Sequence, residues 1–126
     1  MTRTVLVIDD APEVLALAQI FLKATGLWRV LTAPNGEAGL AIAAQEKPDV
    51  VLIDVRMPGL DGISTLRLLR SQSPGWSPAA AFVTASPEDL GPDLLESLRV
   101  PVISKPFRAA TFGPQVAALL SQLVPS

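Results

Sequence analysis

Five short apolar runs, each followed by a segment with helical character, constrain the fold of this chain more than any other feature. Three of the runs are continuous stretches of Val, Ile and Leu without polar alternation, which is typical of strands buried on both faces. Regular alternation of strand and helix predicts an α/β, doubly wound fold with a parallel sheet and right-handed crossovers. The predicted strands are Thr4–Ile8, Trp28–Thr32, Val50–Ile53, Ala79–Val83 and Pro101–Ser104.

The predicted helices carry recognisable end signals. Asn35 is a candidate N-cap of the second helix. Ser86 with Asp89 resembles a capping box in which Asp replaces Glu or Gln. Gly91-Pro92 interrupts the fourth helical region, which we therefore expect to be short or irregular. The predicted ranges are Pro12–Thr25, Gly36–Gln45, Ile63–Arg70, a segment within Pro87–Arg99, and roughly Ala109–Leu123.

The composition limits the chain to one small domain. Its 126 residues suffice for one domain but not two, and an apolar content of 49% argues against disorder. The sequence contains no Cys and no His, which excludes thiolate metal sites and a phospho-histidine on this chain. The net charge of −2, with no basic tract, no long apolar run and no cleavable leader, argues against nucleic-acid and membrane partners. We expect one domain over residues 1–126, in the cytoplasm.

Polar residues with useful chemistry follow four of the five predicted strands. Asp9 and Asp10 follow the first, Asp54 the third, Thr84 the fourth and Lys105 the fifth. In an open α/β sheet, ligands bind outside the carboxyl ends of the strands. If these four strands are neighbours, their side chains converge on one site.

The side chains of this group favour phosphoryl chemistry with a divalent cation. Three carboxylates in one small site repel one another and raise the pKa of at least one of them. Oxygen ligands without His or Cys suit Mg²⁺, which relieves that repulsion. Lys105 and Thr84 can contact phosphate oxygens, and one carboxylate can be a nucleophile that forms an aspartyl phosphate.

Four stretches of the sequence resemble the receiver domain of two-component response regulators. They occur in the order of the family and at about its spacing, and they span nearly the whole chain. Each stretch alone is a weak signal, whereas the four together are strong. The resemblance implies a flavodoxin-like receiver fold with a five-stranded parallel sheet in the order 2-1-3-4-5. The stretches are Val5–Asp10, Asp54–Gly62, Phe82–Ala85 and Ile103–Phe107.

The resemblance also implies a role for each matching residue. Asp54 matches the phospho-acceptor, Thr84 the switch hydroxyl and Lys105 the phosphate-pairing lysine. Pro106 matches the proline that often follows this lysine and is joined to it by a cis peptide bond. The implied phosphoryl donor is a sensor histidine kinase or a histidine phosphotransfer protein. The implied result is a switched protein interaction surface, without turnover of an external substrate. The implied Mg²⁺ ligands are Asp9, Asp10, Asp54 and the backbone carbonyl of Arg56.

Some positions depart from the family pattern. Val102 stands where the family usually has Tyr or Phe, whose rotamer couples to the switch hydroxyl. The predicted inward stripe of the first helix is Val14, Ala18, Phe21 and Thr25. Three other apolar residues of this helix fall outside the stripe, namely Leu15, Ile20 and Leu22. The first helix, or the surface of the fourth helix, fifth strand and fifth helix, is therefore a candidate interface with a second copy or an effector. The outward positions of the fifth helix carry no charge and are Ala110, Thr111, Gln115, Ala118, Ser121 and Gln122.

Several alternatives remain open from the sequence. The domain could be an interaction or dimerisation module with vestigial or atypical phospho-switching, which Val102 motivates. It could also be a phosphatase or phosphotransferase, although Arg56 stands where such an enzyme has its second Asp. The Arg56 side chain either meets an incoming phosphate or is solvated. Asp61-Gly62 is interpreted as a turn that shapes the loop after Asp54.

Overall fold

The computed structural model describes residues 2–72 and 77–123, in which five strands form one parallel sheet. The order β2-β1-β3-β4-β5 and the doubly wound α/β fold confirm the prediction. No helix in these two ranges is long and apolar enough to cross a membrane. The strands are β1 (Arg3–Ile8), β2 (Trp28–Ala33), β3 (Val50–Ile53), β4 (Ala79–Thr84) and β5 (Val102–Ser104). The α-helices are α1 (Pro12–Ala24), α2 (Gly36–Glu46), α3 (Gly62–Gln72), α4 (Pro92–Leu98) and α5 (Ala109–Ala118), with 3₁₀ turns at Pro87–Asp89 and Leu119–Leu123.

The sheet separates two apolar cores, which explains why its strands are apolar at successive positions. Val5 and Val7 of β1 point to one core, together with Leu22 of α1 and Phe112 of α5. Leu6, next to them in the strand, points to the other core, which includes residues of α2, α3 and α4. Side chains alternate between the faces of a strand, so a strand covered on both faces needs apolar residues throughout.

The helix-start signals were partly right. Asn35 Oδ1 accepts a hydrogen bond from the Ala38 N–H at 2.8 Å, as predicted for the N-cap of α2. The predicted break at Gly91-Pro92 is also confirmed, because Gly91 is extended and Pro92 begins α4. The capping box at Ser86 is wrong: its side chain makes no capping hydrogen bond. The carboxylate of Asp89 contacts the side chain of Arg56 instead.

The predicted inward stripe of α1 is displaced. Leu22 is fully buried, although the sequence placed it outside the stripe, and Thr25 is exposed at the end of the helix. The buried line runs through Ala18 and Leu22, because α1 contacts both β2 and α5. Ile20 is exposed, as expected, with 62% of its surface accessible.

The side-chain amide of Gln122 bonds to the backbone of β4 at a position where β5 does not pair with it. Its amide oxygen accepts from the Ala80 N–H at 3.1 Å, and its amide nitrogen donates to the Ala80 carbonyl at 3.3 Å. Ala80 precedes the part of β4 that pairs with β5, since that pairing begins at Phe82 and Val102. Gln122 is exposed, as predicted, but its amide group is also bonded to the backbone of Ala80, which the sequence did not indicate.

We expect Gln122→Ala to lower the free energy of unfolding by about 1–3 kcal/mol, because it leaves two polar backbone groups of buried Ala80 without these partners. Urea titration followed by circular dichroism measures the change. Gln115→Ala, an exposed Gln-to-Ala change on α5, is the matched control and is expected to stay within about 0.5 kcal/mol of wild type. Equal midpoints for the two variants would contradict the role given to Gln122.

Candidate functional site

The three predicted acidic residues meet at the carboxyl edge of the sheet. Ile8 of β1 is level with Ile53 of β3, so Asp9 and Asp54 leave neighbouring strands side by side. One carboxylate oxygen from each of Asp9, Asp10 and Asp54 lies within 4.8 Å of the others. Asp9 and Asp54 are buried, whereas Asp10 is exposed. The cluster is thus open to solvent on one side.

Lys105 reaches the same cluster from the end of β5. Its Nζ lies 2.6 Å from Asp9 Oδ2 and 3.4 Å from Asp54 Oδ1. Its backbone N–H donates to the Thr84 carbonyl at 2.8 Å, which holds it against β4. The bond from Lys105 to Pro106 is cis, as the resemblance implies. Lys105 is therefore placed where it can pair with negative charge on Asp54.

Thr84 lies at the end of β4, buried, and next to the strand that carries Asp54. Its Oγ1 accepts a hydrogen bond from the Ser86 N–H at 3.0 Å. A hydroxyl that accepts in this way still has a proton to donate. The backbone at Ser86 thus orients the Thr84 hydroxyl, which can serve as a donor to an oxygen ligand.

The electrostatics of the cluster favour added positive charge. The pKa of Asp54 is raised from 3.8 to about 6, first because burial penalises its charged form and next because Asp9 is negative. Lys105 opposes this change but does not cancel it. Three carboxylates without His or Cys form the hard oxygen donor set that Mg²⁺ prefers. The residues present therefore fit a magnesium ion.

The loop after Asp54 is shaped by Asp61 and Gly62, as predicted. Asp61 Oδ1 accepts from the Ser64 N–H at 2.8 Å and so caps α3. The Gly62 N–H donates to the Val55 carbonyl at 2.9 Å. A Cβ at Gly62 would lie only 2.2 Å from the Asp54 carbonyl oxygen, so this close approach requires glycine.

The Arg56 side chain turns to a partner that the sequence did not identify. Its guanidinium contacts the carboxylate of Asp89 in the 3₁₀ turn after β4. Asp89 had been assigned to a helix cap, and a local spacing rule cannot detect a partner 33 residues away. The one available signal was an acid shortly after one strand end and an arginine shortly after the neighbouring strand end.

Val102, which replaces the usual aromatic, is half-buried and lines a groove of about 350 Å³ between β5 and α5. The aromatic ring next to the site is Phe107, two residues after Lys105. Its ring stacks on Phe112 with centroids 4.0 Å apart and meets the Phe21 edge at 5.9 Å. Phe107 is thereby packed between α1 and α5.

The chain has clear relatives. It is 35% identical over 121 residues to the alkaline phosphatase synthesis transcriptional regulatory protein PhoP of Bacillus subtilis. The matched residues cover 95% of this chain and 49% of PhoP. It is 46% identical over 65 residues to protein PilH of Pseudomonas aeruginosa, and these residues cover 52% of this chain and 53% of PilH. The chain thus spans about half the length of these two relatives.

The fold and a family model agree with these similarities. Chemotaxis protein CheY4 of Vibrio cholerae superposes with a TM-score of 0.84 at 25% identity, over 94% of this chain and 99% of that one. The receiver domain of Francisella response regulator 1452 superposes with a TM-score of 0.82 at 27% identity, over 98% of this chain and 100% of that one. The family model of the response regulator receiver domain matches residues 5–116. The chain therefore belongs to the response regulator receiver domain family.

Proposed function

We propose that Asp54 is the phospho-acceptor of this receiver domain. The observation that carries the proposal is the position of Asp54, buried at the end of β3 beside Asp9, Asp10 and Lys105. The proposed donor is a phospho-histidine on a sensor histidine kinase or a phosphotransfer protein. The Asp54 carboxylate attacks phosphorus, the bond from phosphorus to the donor nitrogen breaks, and an acyl phosphate forms.

The surrounding residues would assist this transfer by position and charge. Asp9, Asp10, Asp54 and the backbone carbonyl of Arg56 would hold Mg²⁺, which supplies positive charge next to the phosphoryl oxygens when bound. Lys105 Nζ, already 3.4 Å from Asp54, would pair with one phosphoryl oxygen. Thr84 would donate its hydroxyl proton to another. Phosphoryl transfer depends mainly on such positioning and charge neutralisation.

The proposed output is a change in a protein interaction surface, without catalysis on an external substrate. Residues 1–126 would act as one cytoplasmic domain that meets a second copy or an effector through α4, β5 and α5, or through α1. Neither nucleic acid nor membrane is a proposed partner of this domain. Phosphorylation would shift a population between two packings of that surface.

A second candidate is an interaction module in which phosphorylation has little effect. Val102 favours it, because a valine cannot make the aromatic swing that the resemblance implies. Comparing oligomeric mass and partner affinity with and without a beryllofluoride mimic separates the two functions. No change in either quantity would favour the module, and a change would favour the switch.

We expect Asp54→Asn to abolish labelling by acetyl phosphate in the presence of Mg²⁺, because the amide cannot form the acyl phosphate. The labelled fraction is measured by mass spectrometry of the intact protein. Asp61→Asn is the matched control, since Asp61 is an exposed acid whose capping role an Asn can keep. Chelation of Mg²⁺ should stop labelling of the wild type. Undiminished labelling of Asp54→Asn would refute the assignment.

A further inference from the structure

The side chain of Arg70 joins the C-terminal ends of two helices. Arg70 lies near the end of α3, and its Nη1 donates a hydrogen bond to the carbonyl of Leu98, the last residue of α4. Two earlier carbonyls of α4, those of Leu95 and Glu96, accept from the backbone N–H of Arg99. The Leu98 carbonyl is one of the groups that a helix leaves without a partner inside itself, and Arg70 satisfies it.

The charge of Arg70 strengthens this contact. Part of the side chain is exposed, but burial around the guanidinium lowers its pKa from the usual value. No carboxylate in residues 2–72 and 77–123 forms an ion pair with Arg70, so the observed partner of its charge is the carbonyl end of α4. The dipole of a helix stabilises a cation at this end, and α4 has no basic residue in its own last turn.

The N-terminal ends of the same two helices lead back to the phospho-acceptor site. α3 begins at Gly62, where a Cβ would lie 2.2 Å from the Asp54 carbonyl oxygen. α4 is reached from Thr84 through a short loop, and the Ser86 N–H at the start of that loop donates to Thr84 Oγ1 at 3.0 Å. Arg70 lies about 12 Å along α3 from Gly62, so its bond to α4 closes a path that starts and ends at the site.

We propose that Arg70 is a positioning residue that holds α4 in its observed position and thereby opposes the change of surface that follows phosphorylation. The inference rests on the proposed function, because it concerns the response of α4 to a phosphoryl group on Asp54. Movement of Thr84 toward a phosphoryl oxygen pulls on the loop through Ser86 and carries α4 with it. α3 does not follow, because its first turn lies against the backbone of Asp54. The hydrogen bond from Arg70 to α4 then breaks.

This arrangement couples Arg70 to a site that it does not touch. A ligand at Asp54 shifts α4 only by as much as it favours the moved position. A contact that exists only in the observed position lowers the population of the moved position and so lowers the apparent affinity for that ligand. Removal of the Arg70 contact should therefore tighten the binding of a phosphoryl mimic, whereas removal of a merely structural contact would leave binding unchanged or weaken it.

We expect Arg70→Met to raise the affinity for beryllofluoride in the presence of Mg²⁺ by about three- to tenfold, the size expected of one hydrogen bond. Methionine keeps the apolar stem and the helix propensity of arginine but has no donor. Isothermal titration calorimetry measures the affinity. Arg67→Met, which changes an exposed arginine one turn earlier on α3, is the matched control and should bind as the wild type does. Arg70→Lys keeps a charged donor and should return the affinity most of the way to the wild-type value.

Hydrogen exchange of the wild type adds a test that needs no variant. Beryllofluoride should speed the exchange of amides in the last turn of α4, and Arg70→Met should do the same without a ligand. If α4 exchange in the wild type does not respond to beryllofluoride, or if folded Arg70→Met binds it no more tightly than the wild type, the inference is overturned and the proposed function stands. A wild-type protein that neither binds beryllofluoride nor takes up label from acetyl phosphate would overturn both.

Discussion

Asp54→Asn is expected to stabilise the metal-free protein at neutral pH by up to about 3 kcal/mol. The pKa of Asp54 rises from 3.8 to about 6 in the folded protein, so folding opposes its charged form. Each pKa unit is worth about 1.4 kcal/mol of linked stability, and the side chain is only 9% exposed, so solvent screens little of the effect. Asparagine keeps the shape of the side chain and removes the charge.

The sign follows from which state binds the proton more tightly. Between pH 3.8 and about 6, the folded protein holds the Asp54 proton while the unfolded chain releases it. Wild-type stability therefore falls as pH rises through this window, and the Asn variant lacks this contribution. Below about pH 4, the Asp54 carboxyl should cause no difference in the free energy of unfolding between the two proteins. Above about pH 6, the Asn variant should show its full gain in the free energy of unfolding.

Urea titrations of both proteins with a chelator, from pH 4 to 8, measure the difference. Mg²⁺ should reduce it, because the ion stabilises the folded wild type through the carboxylate that the variant has lost. Asp61→Asn removes an exposed acid outside the cluster and should show neither the gain nor the response to Mg²⁺. A destabilised Asp54→Asn protein at pH 7 without metal would contradict this account of the site.

The sequence could predict the sheet and its acidic edge because the causes are local. The apolar run of β3 is followed at once by Asp54, and the run of β1 by Asp9 and Asp10, so strand order alone brings the three together. Lys105 follows the same rule at the end of β5. For these residues, a position in the chain nearly determines a position in space.

The contacts that the sequence missed depend on distances that packing sets. Gln122 reaches Ala80 only because the 3₁₀ turn after α5 runs along the uncovered edge of β4. Arg56 meets Asp89 only because two loops emerge side by side. Leu22 was misplaced for a related reason, since the buried stripe of α1 depends on its contact with α5 as well as with the sheet.

Gly62→Ala is expected to destabilise the protein by about 3 kcal/mol or more and to lower its melting temperature by roughly 10 °C. The new Cβ would lie 2.2 Å from the Asp54 carbonyl oxygen and 2.8 Å from Val55 Cα. Both obstacles are backbone atoms, so no side-chain rotation relieves the contact. The loop must move instead, which breaks the hydrogen bond from the Gly62 N–H to the Val55 carbonyl.

The same movement should reach the phospho-acceptor, because the crowded backbone is that of Asp54 itself. A displacement of about 1 Å can slow a positioned reaction on the order of 100-fold, so residual folded Gly62→Ala protein should label slowly with acetyl phosphate. Gly91→Ala is the matched control: its Cβ meets open space, and its φ of −65° suits alanine. Calorimetry should place Gly91→Ala within a few degrees of wild type. If the two alanine variants melt together, the close approach at Gly62 does not limit the fold, and the loop after Asp54 is more adaptable than its contacts indicate.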